Sequence, residues 1–209
     1  MIPGSPVALR GALVTVDPQT LVPSVIAFQY NPHTLSRSFE VKGAAGGPES
    51  GQLTGPPAET VQVELVLDAA DASGLGQSPD GVAPQLAALL QLITPSSTAA
   101  MASLGLAAAG SLEVLPPAGP ITLFVWGAKR VLPVSIVEMS ISEEAHDAQL
   151  NPILARVSVG MRVLTYADLA ASHPGHALSL AGQIAREQLA GQATSSSLGP
   201  VLGANVPLL

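Results

Sequence analysis

Hydrophobic and polar positions alternate most cleanly from Thr60 to Leu67, where Val61, Val63, Leu65 and Leu67 interleave with Gln62, Glu64 and Val66. Successive strand side chains point to opposite sheet faces, so this run predicts a strand with one apolar face. The same period returns from Ile153 to Leu164, with Val157, Val159, Met161 and Val163 in phase. From Val131 to Ser142 it places Val137, Met139 and Ile141 on one face, and Pro133 suggests an edge or a bulge there. Ile121 to Trp126 is a shorter strand, Gly127-Ala128-Lys129-Arg130 a turn, and Glu143 to Asn151 a polar excursion. Strands joined by such short loops form a meander, which is stable as part of a larger closed or packed sheet.

At the N-terminal end, Ala8 to Val16 and Ser24 to Tyr30 flank Asp17-Pro18-Gln19-Thr20, a strong turn signal, and together predict a hairpin. Asn31-Pro32 closes its second strand, because proline has no ladder donor and keeps the preceding residue extended. Within that strand Phe28 and Tyr30 fall on one face and Gln29 on the other. Leu35 to Lys42 reads as a short polar strand. Helical spacing appears twice. Val82 to Ile93 carries Leu86, Leu89, Leu90 and Ile93 as a stripe, with Asp80 or Gly81 as cap and Pro84 in the first turn. Leu178 to Leu189 places Leu178, Ala181, Ile184, Ala185 and Leu189 on one side.

These elements predict a mainly β fold with one or two helices: an antiparallel β-barrel or sandwich plus a packed helix. Residues 1–170 form the barrel domain, with loop insertions around 43–57 and 96–119. Residues 171–209 add a C-terminal helix and a Ser/Gly/Pro-rich, uncharged tail, ordered only on contact with a partner.

Composition sharpens this picture. The chain of 209 residues is 47% hydrophobic but only 11% charged, against ~25% in an average soluble domain. So little charge leaves apolar surface to be buried against other chains, although a general bias toward Ala and Gly produces the same numbers. A net charge of −7 disfavours nucleic acid, which needs clustered Lys and Arg. Without cysteine there is no disulfide framework or thiolate chemistry. The first residues lack the basic leader and apolar core of a signal peptide. Thr98 to Gly110, the longest uncharged Ala-rich run, is too short and weakly apolar to span a bilayer.

Candidate chemistry changes little. The sequence carries no phosphate loop, dinucleotide fingerprint, nucleophile elbow or HExxH helix. Of the four histidines, His173 and His176 flank a Pro-Gly turn with only Asp168 nearby, a thin metal-ligand set. His33 lies near Thr34, Ser36 and Ser38 without an orienting third group. Asp68 with Asp71, and Glu143 and Glu144 with Asp147, read as solvated loop carboxylates. No catalytic, cofactor-binding or metal residue is expected, and the chain is expected not to be an enzyme. Trp126 reads either as an interface anchor or as a core residue closing one barrel end.

Three segments together carry a resemblance. Phe28-Gln29-Tyr30-Asn31-Pro32 through Leu35 and Arg37 resembles the F-x-Y/F-N-P-x-x-L-x-R opening of contractile injection system tube and baseplate proteins. The Val61 to Leu67 strand and its leucine-bearing helix follow in the same order, then Trp126-Gly127, and finally Asn151-Pro152 opening the last strand, similar to that family's N-P-x-x-A-x-V. The resemblance covers about residues 8 to 170 and implies a barrel of the tail-tube type. It implies a ring, hexameric in the family, that joins the spike or hub to the tube and initiates tube polymerisation. Its partners would be copies of itself, tube and spike or hub proteins, and sheath or other baseplate proteins, with no nucleic acid, membrane or cofactor. Assembly would take place in the cytoplasm. Phe28, Tyr30, Asn31, Pro32, Arg37, Trp126, Gly127 and Pro152 are the structural and assembly residues it implies. Many relatives carry a LysM-like module after the barrel; here only a short helix and an uncharged tail are expected after Asp168. A tail-tube or cap-adaptor subunit of the same particle, or an unrelated β-sandwich binding module, are the alternatives. The last is short of the exposed aromatics it needs.

Overall fold

The computed structural model describes residues 9–16, 23–41, 43, 54–70, 78–95, 97, 101 and 121–193. Its strands are β1 (Ala12–Val16), β2 (Pro23–Ala27), β3 (Leu35–Glu40), β4 (Ala58–Asp68), β5 (Ile121–Val125), β6 (Val131–His146) and β7 (Pro152–Val163). The helices are α1 (Ala83–Gln91) and α2 (Pro174–Ala193). The strands form one antiparallel sheet in the order β2-β1-β5-β6-β7-β4-β3. The mainly β class, the N-terminal pairing of β1 with β2, and the β5-β6-β7 meander are as the sequence implies. The Asp17 to Thr20 turn, most of 43–57 and 96–119, and the tail from 194 lie outside the described residues.

A period-two pattern makes strands whose apolar side chains need a common roof. In β4, Val61, Val63, Leu65 and Leu67 are buried; in β7, Ala155, Val157, Val159, Met161 and Val163 are. Leu13 of β1, Phe124 of β5, and Leu132 and Val134 of β6 join the same core. The sheet rolls rather than lying flat. Strands β2 and β4 are five steps apart in the order, or ~24 Å in a flat sheet at ~4.8 Å per strand. Yet Gln29, just after β2, hydrogen-bonds Asp68 at the end of β4 at 2.7 and 3.0 Å. Helix α1 fills the interior with Val82, Leu86 and Leu89.

The start of α1 is fixed by backbone, not by the side-chain cap expected at Asp80 or Gly81. Val82 is the cap residue and makes no side-chain cap bond. Its N–H instead donates to the Pro152 carbonyl at 2.8 Å. Gly81 has φ +61°, and a Cβ there would overlap that carbonyl, so only glycine fits. Pro84 lies in the first turn as expected. Leu86 and Leu89 of the predicted stripe are buried, whereas Leu90 and Ile93 are exposed.

Strand β6 departs from the sequence reading in three ways. Pro133 marks neither an edge nor a bulge: it is fully buried in a central strand. Its carbonyl accepts the Leu164 N–H at 2.8 Å, just past the end of β7. Its missing N–H is on that same side, so the proline forgoes only the reciprocal bond to Leu164, at the last rung beyond the Val134–Val163 pair. The irregularity lies instead between Ile136 and Glu138. The extra residue there, Val137, is turned out at 60% exposure, while Ile136, Met139 and Ile141 pack on the core. A bulge resets the alternation, so Val137 does not share a face with Met139 and Ile141. The polar run from Glu143 continues the strand to His146, leaving only a tight turn before β7.

Candidate assembly surface

The segment after β2 is a corner. The strand ends at Ala27, so Phe28 and Tyr30 do not share a face as alternation implies. Phe28 and Gln29 are both buried and Tyr30 is 44% exposed. The Phe28 ring packs on Phe124 at 6.4 Å, and Phe124 stacks on Trp126 at 6.0 Å and 19°. The Phe28 N–H donates to the Gly11 carbonyl at 2.9 Å. Gly11 lies beneath two of these rings, and a Cβ would come within 2.7 Å of Phe28 and 2.8 Å of Trp126.

Two side-chain amides then act as backbone surrogates. Gln29 Nε2 donates to the Asp68 carbonyl at 3.0 Å, and the Asp68 N–H donates to Gln29 Oε1 at 2.7 Å. Asn31 Nδ2 donates to the Leu9 carbonyl and the Gly11 N–H donates to Asn31 Oδ1, both at 2.8 Å. The Gln-Tyr-Asn tripeptide thereby ties the end of β4 to the chain entering β1. Reading Gln29 as the outer face of a strand misses this. The one signal in the sequence is an amide on each side of a tyrosine where a strand ends.

Between this corner and β4 lies a cleft of about 580 Å³, walled by Tyr30, Asn31, His33, Val66, Arg10 and Arg156 among others. Arg156 Nη1 donates to Glu64 Oε1 at 3.0 Å and its Nε to Glu144 Oε1 at 2.7 Å. The hydrogen bonds it donates, to Glu64 first and then to Glu144, push its pKa further up. The cleft also exposes a strand edge. Strand β3 covers β4 only from Ala58 to Val63, and Gln29 covers Asp68. The Ala69 N–H turns toward β7, so by alternation the backbone groups of Glu64 and Val66 turn toward the cleft.

Arg37 belongs to the opposite end of β4. Its Nε and Nη2 both bond Glu59 Oε1 at 2.6 Å, and its guanidinium lies 5.0 Å from the Phe39 ring centroid. The Glu59 side chain is only 3% exposed and also accepts from Arg186 of α2 at 3.3 Å. A buried carboxylate needs such pairing. Gly127 takes the turn before β6 with φ +70°. Pro32 is half-buried on the cleft wall, and Pro152 supplies the carbonyl that starts α1. Phe28 and Trp126 therefore meet in one ring cluster, Asn31 and Pro32 stand beside it, and Arg37 and Pro152 lie in separate places.

Asp71 lies outside the described residues and His33 lines the cleft; His173, His176, His146, Asp147 and Asp68 hold local structure. His173 Nδ1 accepts the Gly175 N–H at 3.1 Å, capping α2, and His176 meets Tyr166 edge-on. His146 pairs with Glu143 at 3.1 Å. Asp147 accepts the N–H groups of Gln149 and Asn151 and the Asn151 side chain. Those bonds, the Asn151 side chain foremost, hold its pKa below the usual carboxylate range. Asp68 caps the turn at Ala70. No group of metal-ligating side chains gathers among the described residues, and no helix among them is long and apolar enough to cross a membrane.

No protein-family model matches this sequence, and no curated protein matches it. Among solved structures, a chain of the virion of a native gene transfer agent particle is similar with 14% identity and a TM-score of 0.28, over 73% of this chain and 90% of that chain.

Proposed function

We propose that this protein is a non-catalytic structural subunit of a phage-tail-like contractile particle. In that reading it forms a ring, six-fold as in the family it resembles, that joins the spike or hub to the inner tube and initiates tube polymerisation. The observation that carries the reading is the F-x-Y-N-P-x-x-L-x-R segment. Phe28, Asn31 and Arg37 each have a defined internal job, in the ring cluster, the amide tie and the Glu59 pair. Two of these jobs fix the corner after β2, and the third fixes the far end of β4.

Two further features support it. Strands β2 and β3 end the sheet, each paired on one side only among the described residues. They carry exposed Val25, Phe39 and, just beyond, Val41. Unlike edges at the two ends of one sheet suit a heterologous, ring-closing contact. His146, His173, Asp68 and Asp147 are engaged in surface pairs, caps and turns, which fits a structural role.

The test is electron microscopy of the purified protein with sedimentation across concentration. Rings of cyclic symmetry are expected, and Val25→Pro should abolish them without unfolding the chain. Its N–H turns away from β1, because Phe28 in the opposite phase is the residue that bonds Gly11. A protein that stays monomeric at every concentration and binds neither tube nor spike proteins overturns the reading.

A further inference from the structure

Helix α2 begins on a histidine. Pro174 is its first residue and has no N–H to leave unpaired, so the first orphan donor is the N–H of Gly175. Gly175 is one of the two buried residues of α2, with Ser179 one turn on. Burial takes that N–H away from water, and it donates to His173 Nδ1 at 3.1 Å. The imidazole closes down on the glycine: a Cβ at position 175 would lie 3.0 Å from both His173 Nδ1 and Leu169 Cδ1. Ser, Thr, Asn and Asp are the usual residues for this job, and their oxygens go on accepting in mild acid. Histidine differs, because a proton removes its acceptor at mildly acidic pH.

We infer that His173 makes the start of α2 an acid-released catch: a proton on Nδ1 uncaps the helix and frees its docked first turns from the sheet. The Gly175 bond requires the tautomer with its hydrogen on Nε2, whereas in imidazolium both ring nitrogens are donors. The proton then acts twice. It leaves a buried N–H without a partner, and it sets a positive charge at the helix end where the dipole is already positive. No acidic side chain in the first turn offsets that charge. His176, in the same turn and edge-on to Tyr166, pushes in the same direction when protonated. The charged groups of the neighbouring elements are engaged elsewhere. Asp168, before the helix, pairs with Arg162 of β7 and accepts from Thr165. Glu59 of β4 pairs with Arg37 and Arg186, and Glu138 of β6 lies opposite Gly160 on the other face of the sheet. The cap is therefore present in neutral and alkaline solution and is lost on acidification through the range where histidines titrate. The Glu59–Arg186 pair contains no histidine, so α2 stays tethered through Arg186 as its first turns open.

Limited proteolysis of the full chain tests this, scored as cleavage between residues 164 and 173 relative to an unstructured peptide in the same tube, at about pH 7.5 and about pH 5.5. Wild type should be cut about fivefold faster at the lower pH, the size of one lost cap. In His173→Asn the acceptor is an amide oxygen that stays unprotonated, so cleavage should be slow at both values. In His173→Ala it should be fast at both. The Gly175 amide signal in an NMR series should also follow the titration of the His173 ring. A wild-type rate that does not change with pH overturns the inference. So does a step in His173→Asn as large as in wild type, which would assign it to another group, or a Gly175 amide that stays still while the His173 ring titrates.

Discussion

The side chain of Gln29 occupies both backbone hydrogen-bonding groups of Asp68, 39 residues away in sequence. It behaves as one residue of an additional strand and bridges the open side of the rolled sheet. Gln29→Ala leaves a donor and an acceptor at the end of β4 without partners, a cost of about 1–3 kcal/mol. Gln29→Glu keeps the acceptor for the Asp68 N–H but sets a carboxylate oxygen against the Asp68 carbonyl, so it should be at least as damaging near neutral pH. Urea denaturation of both variants checks this. Wild-type stability in either would mean that the roll is held without the bridge.

The ring cluster around Gly11 is the tightest point of the core. A methyl group there meets Phe28 and Trp126 below 3.0 Å, and overpacking of this kind costs about 1–3 kcal/mol. Phe28→Ala creates the opposite fault, a cavity under Phe124, at about 3–5 kcal/mol. The pair Gly11→Ala with Phe28→Ala should be less destabilised than the sum of the two, since the smaller ring site relieves the clash. A double-mutant cycle in denaturant measures that coupling.

The fold was legible where burial alternates without interruption. Strands β4 and β7 follow from Val61 to Leu67 and Val157 to Val163 because each residue pair repeats the same in-and-out choice. It was illegible wherever one residue breaks phase. Nothing local distinguishes Val137 in a bulge from Val137 in register; the register is set by β7 across the ladder. Gln29 and Asn31 were hidden for a related reason. An amide at a strand end reads as turn chemistry, and its true partners lie far away along the chain. Helix α2 shows the limit of amphipathicity as evidence: Gly175 and Ser179 are its buried residues, while Ile184 and Leu189 of the expected apolar side are exposed.

Glu59 of β4 pairs with Arg37 of β3 and, through Arg186, holds α2 to the sheet. Removing the carboxylate strands both charges, but Arg37 and Arg186 are 28% and 43% exposed and keep access to water. Glu59→Ala should therefore cost about 2 kcal/mol, below the ~3–5 kcal/mol of a fully buried pair. Arg186→Ala leaves Arg37 in place and should cost less, about 1 kcal/mol, yet it should speed proteolysis between residues 164 and 173 as α2 loosens. Equal cleavage rates in Arg186→Ala and wild type would remove the latch role.

The β6–β7 turn carries a pH dependence with a defined sign. Asp147 has its pKa lowered by hydrogen bonds from the Asn151 side chain first and its backbone next. A lowered folded-state pKa gives a contribution that is fully present above the ordinary carboxylate range and is lost as pH falls through the folded-state value. Amide signals of Gln149 and Asn151 should follow that titration in an NMR series, and Asp147→Asn should remove it. Signals that stay still while the other carboxylates titrate would remove the assignment.

The same turn forces Leu150 to φ +65° with its side chain 80% exposed. A left-handed conformation costs an L-residue about 1–2 kcal/mol, and nothing is packed there to offset it. Glycine removes that strain but adds about 0.4–1 kcal/mol of unfolded-state entropy to be lost. Leu150→Gly should therefore stabilise the protein by about 0.5–1 kcal/mol, a rise of a few degrees in Tm for a chain of this size. Gly127 tests the same quantity in reverse. Its φ is +70° and a Cβ would touch nothing within 4 Å, so Gly127→Ala isolates the backbone cost and should destabilise by about 1 kcal/mol. Opposite signs at these two positions are the expected result of calorimetry. A loss of stability in Leu150→Gly would mean that the exposed leucine is packed after all, against another chain in the assembly.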